Sequence, residues 1–448
     1  MLIRHWLGKF TAVAVCAFVF LMVTKRLSDC SDDRILPNVR PVDPSCASFP
    51  DTSNILVVVK TGATESYARI PTQLFTVLRC LPDFLLFSDL EQNIAGYHIH
   101  DSLDTVIPQV KENNPDFDLY WQQQTCPIDQ DSCVKGTIGH DRQSLLGWKL
   151  DKYKNVHIAE KTYCLRPGYD WYLFIDADTY VLWYNLVQWL HKLKNPWHEK
   201  HYIGSATFIN DFPFAHGGSG YILSHATLQD LVENHPSIAN NYDMRAKDSC
   251  CGDHVLGLAL NETIDVGVTF AWPTINGEKP YTIPYGPREW CQPLEFEKRF
   301  FESSDLPRPA LRIKDIYHAF VEPKLSVQRD DWDNLSGDVL YLDPDVKHEK
   351  WQEDRARKLN QQMRVPPVEM DAHKSFYHCR RLCDTVPSCF QFSFHDGICA
   401  YSNSFALGKP VEKKDKEEQR WVSGWNVNRI REWVAKQGDC KEPVWPHV

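Results

Sequence analysis

Two aspartates follow an unbroken apolar run near the middle of the chain. Residues 171–175 (WYLFI) have the composition of a buried strand, and Asp176-Ala-Asp178 comes directly after them. In open α/β sheets ligands gather beyond the carboxyl ends of the strands, and two carboxylates there can supply oxygen ligands to Mg²⁺ or Mn²⁺. A solvated turn is the alternative. The position after a buried strand favours a metal site with Asp176 and Asp178 as ligands.

A glycine-rich segment follows at residues 214–221 (FAHGGSGY). Glycine permits positive φ and lets the backbone approach a ligand closely, so Gly217 and Gly218 are candidate ligand contacts. The spacing differs from the G-x-G-x-x-G of dinucleotide-binding proteins. A tight turn without a ligand explains the segment equally well.

A third candidate is Asp253, within residues 248–257 (DSCCGDHVLG). A disulfide formed by Cys250 or Cys251 would fix this carboxylate, which could then accept the proton of an attacking hydroxyl group. Taken alone, Asp253 fits better as the cap of a helix that begins near Val255.

Apolar runs indicate the elements that must position these residues. Residues 55–59 (ILVVV) predict a buried strand that leads into Lys60-Thr61-Gly62, and residues 84–87 and 171–175 predict two more strands. The sequence further predicts helices at residues 71–79, 148–165 and 181–193. Strands that alternate with helices at this spacing indicate an α/β fold with a parallel sheet.

Composition limits the classes of function. A chain of 448 residues suggests two globular units, and its formal charge of −10 argues against a nucleic-acid-binding protein. Of its 15 cysteines, Cys16 lies in an apolar run, which leaves 14 for disulfides in an oxidising compartment. The sequons at Asn261 and Asn334 agree with that compartment. The chain lacks the paired CxxC motifs of a zinc-binding module.

The N-terminus predicts a membrane anchor. Residues 10–24 carry no charged side chain, and bulky Leu21, Met22 and Val23 stand where a signal-peptide cleavage site would need small residues. We therefore expect a cytoplasmic tail at residues 1–9, a signal-anchor helix at 10–26 and a proline-containing stem at 27–50. A cleaved signal peptide is the alternative, since the run is shorter than a typical spanning helix.

Together these motifs resemble those of the fringe and core 1 β1,3-galactosyltransferase family, particularly its fungal branch. The resemblance covers residues 55 to about 340 and rests on Val-Val-Lys60-Thr61-Gly, on residues 171–180 (WYLFIDADTY), on Ala-His-Gly-Gly-Ser-Gly-Tyr221, and on Asp253-x-x-x-Gly257. Residues 332–336 (WDNLS) also look like the closing segment of that branch.

The resemblance implies a GT-A type α/β fold, with a Rossmann-like mixed sheet flanked by helices, over residues 51–342. It further implies a UDP-sugar donor, Mn²⁺ as cofactor and inversion at the anomeric carbon. Carried onto the matching positions, Asp176 and Asp178 would serve nucleotide and metal, and Asp253 would be the catalytic base. Lys60 and Thr61 would lie near the UDP, and Gly217 and Gly218 near the donor sugar.

One element departs from the pattern of that branch. A Cys-x-Pro element is there followed by a loop with a pair of histidines, one of which can complete the metal site. Here Cys291-Gln-Pro293 runs directly into Leu294-Glu-Phe-Glu-Lys298 without a histidine pair. His318 is the candidate substitute, although a lone histidine is more often structural.

The C-terminal part has a different character. Residues 343–369 are charged and contain prolines, which predicts a linker. Residues 370–448 form a cysteine-rich module that resembles the PAN/apple type through Cys379, Cys383, Cys389 and Cys399. Such modules bind protein or carbohydrate, but a purely structural disulfide-bonded knot is equally compatible.

The combined expectation is a type II membrane protein of the Golgi or endoplasmic reticulum, with its catalytic domain in the lumen. It would transfer galactose from UDP-galactose in β1,3 linkage to a glycan or glycoprotein. One alternative is N-acetylglucosamine transfer on the same scaffold, and another is a lectin-like protein with an impaired metal site. A hydrolase is less favoured, because two carboxylates at one strand end do not flank a glycosidic bond.

Overall fold

The computed structural model describes residues 46–126, 140–278, 282–286, 312–357, 366–416, 419–438 and 445. The predicted tail and signal-anchor helix (residues 1–26) and most of the predicted stem lie outside these ranges. Within them, no helix is both long enough and apolar enough to span a bilayer. The chain divides into two compact units. The described N-terminal unit comprises residues 46–126 and 140–276, and the remaining described residues form the C-terminal unit.

Ten described strands belong to the N-terminal unit. They are β1 (Ile55–Lys60), β2 (Phe84–Ser88), β3 (Gln92–Ile94), β4 (Tyr97–Asp101), β5 (Trp171–Asp176), β6 (Tyr202–Gly204), β7 (Ala206–Ile209), β8 (Phe212–Ala215), β9 (Tyr221–Ser224) and β10 (Thr269–Phe270).

Nine described α-helices accompany them. They are α1 (Ala63–Phe75), α2 (Pro108–Lys111), α3 (Asp118–Gln124), α4 (His140–Asp151), α5 (Lys154–Leu165), α6 (Trp183–Leu190), α7 (His225–Glu233), α8 (Ile238–Asp248) and α9 (Gly252–Ile264), with short 3₁₀ turns at Pro115–Phe117 and Gly217–Ser219.

Eight of the strands form one mixed sheet in the order β10-β6-β9-β5-β1-β2-β4-β3. The central strands β1, β2 and β5 run parallel, whereas β9 runs antiparallel to β5 and β6. Strands β7 and β8 form a separate hairpin. The predicted α/β class is confirmed, and its sheet is mixed and flanked by helices.

Burial explains why β1 and β5 take the centre of the sheet. All five apolar residues of β1 and of β5 are buried, as expected for strands covered on both faces. The helices pack their apolar faces on the same core, for example through Leu256 of α9 and Val156 of α5. Both strands end at the first polar residue after their apolar run.

The helix boundaries differ from the predicted ones. Helix α1 begins eight residues before the predicted start and contains Pro71 in its interior. Its first backbone amide, from Ala63, donates to the carboxylate of Asp89, 2.6 Å away, and this partner lies too far along the chain to be read from local sequence. The predicted helix at residues 148–165 is two helices, α4 and α5.

The C-terminal unit contains its own β-sheet. Its described strands are β11 (Arg329–Asp330), β12 (Trp332–Asp333), β13 (Val339–Leu342), β14 (Gln391–His395), β15 (Ile398–Ser402), β16 (Lys409–Pro410) and β17 (Val422–Trp425). Five of them form an antiparallel sheet in the order β11-β17-β14-β15-β13, and β12 pairs with β16.

Five described α-helices complete this unit. They are α10 (Ile313–Ile316), α11 (Lys350–Arg355), α12 (Pro367–Met370), α13 (Phe376–Thr385) and α14 (Val427–Gln437), with a π-helical turn at Tyr317–Val321 and 3₁₀ turns at Glu322–Lys324 and Ala372–Lys374.

The unit boundary lies well before the predicted boundary at residue 342. Strand β13 pairs with β15, about sixty residues further along the chain, with Val339 opposite Tyr401. Residue 342 therefore falls inside the C-terminal unit, as do the described residues of the predicted linker at 343–369, two segments of which are helical. Residues 332–336, assigned by resemblance to the end of the first domain, belong to the second unit as well.

Disulfides are present in both units, as the cysteine count predicts. Among the described residues, the disulfides include Cys46–Cys80, Cys250–Cys251, Cys379–Cys399 and Cys383–Cys389. The first of these attaches residue 46, at the end of the predicted stem, to the folded N-terminal unit. Phe49 also packs edge-on against Trp183, with 5.6 Å between ring centroids, so residues 46–50 belong to that unit.

The two sequons differ in accessibility. Asn261 is exposed on α9. Asn334 is fully buried, and its side-chain nitrogen donates to the carbonyls of Phe392 and Gly424 at 3.1 and 3.2 Å. Asn334 is therefore no glycan acceptor in the folded protein.

Candidate active site

The site begins where β1 and β5 end. These parallel strands pair in register, so that Lys60 and Asp176 lie opposite each other. Lys60 Nζ is 3.3 Å from Asp176 Oδ1. The side chains at the carboxyl edge of the sheet thus combine a cation and a carboxylate, as the two sequence motifs predict.

The turn after β5 is fixed by its own hydrogen bonds. The backbone amide of Asp176 donates to Thr179 Oγ1 at 3.1 Å, and this hydroxyl donates to the carbonyl of Gly218 at 3.0 Å. The turn is therefore tied to the glycine-rich segment. The side chain of Asp178 remains more than half exposed, and its Oδ2 lies 3.8 Å from Arg69 Nη2.

A buried glutamine supports the same turn from below. Gln73, on α1, donates through Nε2 to the carbonyls of Ala177 and Thr179 at 2.7 and 3.0 Å. Only 4% of Gln73 is exposed. The two aspartates thus stand on a rigid loop, which is the preorganisation that a ligand site requires.

A network of charged side chains, part of it fully buried, adjoins Lys60. Asp151, the last residue of α4, contacts Lys60 Nζ at 2.5 Å and Lys154 Nζ at 3.5 Å. Lys154 is fully buried; it also contacts Asp89 at 3.3 Å and donates to the carbonyl of Thr61 at 3.0 Å. Each buried charge therefore has a partner of opposite sign.

The protonation states follow from these contacts. Burial opposes the charge of Lys60, but Asp151 and Asp176 outweigh it and raise its pKa above the usual lysine value. Burial likewise opposes the charge of Asp151, yet Lys60 and Lys154 lower its pKa. Burial raises the pKa of Asp176, and Lys60 offsets only part of this effect.

The glycine-rich segment meets the third motif directly. The backbone amide of Gly217 donates to Asp253 Oδ2 at 2.8 Å, and a Cβ at Gly217 would stand 3.4 Å from that oxygen. The backbone φ at Gly220 is +79°, a value that favours glycine. Gly218 is exposed next to Asp176, with 3.8 Å between a Cβ position on Gly218 and Asp176 Oδ2.

Asp253 lies inside the first turn of α9, and Cys251 occupies the capping position instead. The start of α9 packs tightly against the junction of α4 and α5. A Cβ at Gly252 would stand only 2.7 Å from Asn155 Oδ1 and from the carbonyl oxygen of Asp151. The predicted disulfide beside Asp253 joins the adjacent residues Cys250 and Cys251.

These residues surround one cavity of about 930 Å³ in the N-terminal unit. Its volume is in the range of pockets that bind small organic ligands. Of the candidates from the sequence, the following line it: Lys60, Thr61, Asp176, Asp178, Gly217, Gly218 and Asp253. The disulfide Cys250–Cys251 and the exposed Trp148 also line it.

The donor set is compatible with a hard divalent cation. Asp176 and Asp178 present carboxylates to the cavity, and Mg²⁺ or Mn²⁺ is commonly held by one or two carboxylates with the remaining positions filled by phosphate and water. Asp178 is open to solvent. Within the described residues, the carboxylate of Asp176 forms an ion pair with Lys60 alone. The carboxylate oxygens of both aspartates are therefore suitable ligands for a metal–diphosphate complex.

His318 lies elsewhere in the chain. It belongs to the C-terminal unit, where its Nδ1 is 2.7 Å from Glu322 Oε2 on the next helical turn. The assignment of His318 as a metal ligand stays a prediction. Residues 291–298, which lack the histidine pair, lie outside the described residues.

Sequence reasoning missed three contributors to the site: Asp151, Lys154 and Gly252. Asp151 and Lys154 lie within a helical pattern of mixed charges, where nothing local separates a buried charge from a solvated one. The signal for Gly252 was its position directly before Asp253. A glycine at the start of a helix can mark close packing.

Comparison with known proteins adds no assignment to this geometry, since no family model matches the chain and no curated protein is significantly similar to it.

Proposed function

We propose that this chain is an inverting glycosyltransferase of the GT-A type, which uses a UDP-sugar as donor and Mn²⁺ as cofactor. The observation that carries the proposal is the composition of the single cavity described above. It combines a lysine, two carboxylates on a rigid turn, a glycine-rich wall and a separate carboxylate at a helix start.

The division of charge suits a nucleoside diphosphate. Lys60 offers a permanent cation at the carboxyl edge of the sheet, where it can pair with a phosphate oxygen. Asp176 and Asp178 would hold Mn²⁺, which would supply further positive charge for the departing diphosphate. Gly217 and Gly218 have no side chains, which leaves room for the donor sugar next to the backbone.

Asp253 has the role of catalytic base. Its Oδ2 accepts a hydrogen bond from Gly217, which orients the carboxylate at the cavity wall. In the proposed reaction Asp253 takes the proton of the acceptor hydroxyl while the acceptor oxygen bonds to the anomeric carbon. The bond from that carbon to the diphosphate oxygen breaks, and UDP leaves with the electron pair.

The disulfides in both units support a luminal location, because such bonds persist in oxidising compartments. We therefore propose a type II membrane enzyme of the Golgi or endoplasmic reticulum, with the N-terminal helix predicted above as its anchor. We further propose that residues 370–448 form a PAN/apple-like module. Its helix α13 is joined to β15 by Cys379–Cys399, and Cys383–Cys389 closes the end of that helix.

The test is UDP release from a panel of UDP-sugars, with Mn²⁺ and with a chelator. We expect UDP release with UDP-galactose and a product that carries galactose in β1,3 linkage. UDP release with UDP-N-acetylglucosamine would identify the alternative donor. Transfer should stop with the chelator. A protein that binds glycans but releases UDP from no donor would overturn the proposal in favour of a lectin-like function.

A further inference from the structure

A second cluster of ligand-type side chains lies at the edge of the sheet, away from the cavity. Strand β4 carries His98 and His100, which point to the same face because successive strand residues alternate. Glu91 directly precedes β3, the edge strand that pairs antiparallel with β4. Continuing the β3–β4 register by one residue sets Glu91 opposite His100.

The three side chains converge on one point. Glu91 Oε1 is 2.6 Å from His98 Nε2, and the imidazole centroids of His98 and His100 are 4.3 Å apart. One ligand atom from each residue lies within 4.8 Å of the other two. Tetrahedral Zn²⁺, with bonds of about 2.1 Å, separates its ligand atoms by about 3.4 Å, so small side-chain rotations suffice.

The surroundings hold these ligands in place. Glu91 Oε2 accepts the backbone amide of Asp101 at 2.8 Å, which leaves Oε1 directed at His98. The ring of His100 packs against buried Phe87, with 5.2 Å between centroids. Such supporting contacts orient the ligands of metal sites.

Neighbouring cations are already neutralised. Lys161 and Arg166 are the lysine and arginine side chains whose positive field acts on His100. Lys161 is paired with Asp104, and Arg166 Nε contacts Asp83 Oδ2 at 2.6 Å. Each cation thus has its own carboxylate, and Glu91 is left to balance a bound metal.

We propose that Glu91, His98 and His100 form a Zn²⁺ site. Two imidazoles and a carboxylate are ligands that Zn²⁺ favours, and three protein ligands leave a fourth position for water. Among the described residues, no other group of three or more histidine, cysteine or acidic side chains comes together in this way. None of the three lines the proposed donor cavity, so the site is independent of the proposed function.

Bound Zn²⁺ would join the edge strand β3 to β4. The β3–β4 hairpin is closed by a turn at Ala95 and Gly96, both with positive φ, and three strand residues alone pair weakly with the sheet. Zinc should therefore raise the thermal stability of the N-terminal unit, because a ligand that binds only the folded state stabilises it.

The experiment is a calorimetric titration of the purified, metal-free full-length chain with ZnCl₂, followed by thermal unfolding. In addition to any Zn²⁺ held by Asp176 and Asp178, the wild-type chain should bind one equivalent whose affinity falls by more than about 100-fold in His98→Ala or His100→Ala. His198→Ala, an exposed histidine outside the cluster, is the matched control and should bind as the wild type does. Asp178→Ala should also retain this equivalent.

Two further measurements guard against misfolding. Glu91→Gln keeps an acceptor for the Asp101 amide but loses the ligand charge, so it should fold normally and bind Zn²⁺ more weakly. Co²⁺ substituted for Zn²⁺ should give the visible absorption of a tetrahedral site in the wild type and not in His98→Ala. Unchanged Zn²⁺ binding in all three cluster variants, or loss of binding in Asp178→Ala alone, would overturn the proposal.

Discussion

Lys60 and Asp176 are register partners on β1 and β5, with 3.3 Å between the lysine nitrogen and the nearer carboxylate oxygen. The pair brings the ends of two strands, separated by more than a hundred residues, into one polar centre. In the absence of a ligand it keeps Asp176 neutralised. A bound metal–diphosphate complex could exchange the partners of this ion pair. The metal ion would then contact the carboxylate of Asp176 and a phosphate oxygen would contact Lys60, so both charges would stay neutralised.

Removing one carboxylate of the proposed metal site should weaken nucleotide binding. We expect Asp178→Asn to reduce the affinity for UDP in the presence of Mn²⁺ by at least about tenfold, or about 1.4 kcal/mol. The physical reason is the loss of an anionic ligand from the cation that bridges protein and diphosphate. Calorimetry with and without Mn²⁺ measures the effect.

Glu65→Gln is the control for that experiment. Glu65 lines the same cavity and pairs with Arg69 at 3.6 Å, so its neutralisation changes the charge of the cavity by the same amount and leaves both aspartates in place. Equal losses in both variants would mean that general electrostatics, and not metal ligation, explains the binding.

Asp253→Asn should separate chemistry from binding. Asparagine can still accept the Gly217 amide, so the wall of the cavity should keep its shape. As a poor base it should lower kcat by about 10²- to 10⁴-fold, whereas UDP affinity should stay close to that of the wild type. A variant with normal kcat and a raised KM would remove Asp253 from the role of base.

The placement of Asp253 should depend on Gly252. Gly252→Ala adds a Cβ that would stand 2.7 Å from two oxygen atoms at the α4–α5 junction, so α9 must shift. We expect a fall in kcat of about tenfold or more, since displacements near 1 Å cost up to about 10²-fold. Steady-state kinetics on the folded variant provides the measurement.

Gly267→Ala serves for comparison, because no atom lies within 4 Å of a Cβ at Gly267. It should leave both stability and kcat unchanged. If Gly252→Ala behaves in the same way, the tight packing under Asp253 has no catalytic consequence.

The buried charge network should be important for stability. Lys154→Met leaves Asp89, which is fully buried, without its cation, and removing one partner of a buried pair costs about 3–5 kcal/mol. The double variant Lys154→Met/Asp89→Asn should recover part of this loss, since no unpaired charge remains. Denaturant unfolding of the two variants gives the comparison, and equal stabilities would argue against the ion pair.

Acid should weaken the same network. The folded-state pKa of Asp151 lies below its ordinary value of 3.8, because Lys60 and Lys154 outweigh the effect of burial. A lowered carboxyl pKa contributes stability above the unfolded pKa, and that contribution is lost as pH falls through the folded value. Asp151→Asn should therefore be less stable than the wild type at neutral pH.

The difference in unfolding free energy should shrink towards zero below pH 3.8, where the wild-type carboxyl also takes up its proton. Urea titrations at neutral and acidic pH measure it. A gap that stays constant with pH would assign the effect to packing.

Local sequence was sufficient for the central strands and for most of the cavity. The apolar runs that end at Lys60 and at Asp176 predicted β1 and β5, because short runs rich in β-branched or aromatic residues favour buried strands. Parallel strands then place their carboxyl ends together, so the polar residues that follow must meet. The position of Asp253 next to these residues depends on its hydrogen bond from the Gly217 amide, which no sequence pattern predicts.

The remaining features could not be predicted, because they depend on partners that are far apart in the sequence. The run at β13 looked like the end of the first domain, yet its partner strand β15 lies in the cysteine-rich segment. The start of α1 depends on Asp89, which is remote in sequence. Buried charges such as Lys154 are invisible for the same reason, since their partners come from other elements.

The bond between Cys250 and Cys251 makes the wall next to Asp253 responsive to its chemical environment. A reductant would replace this covalent link with two thiols that can ionise and react, three and two residues before the proposed base. Protein produced in a bacterial cytoplasm would carry those thiols, whereas secretory production would keep the link closed. The expression host thus determines the chemistry of the cavity wall next to Asp253.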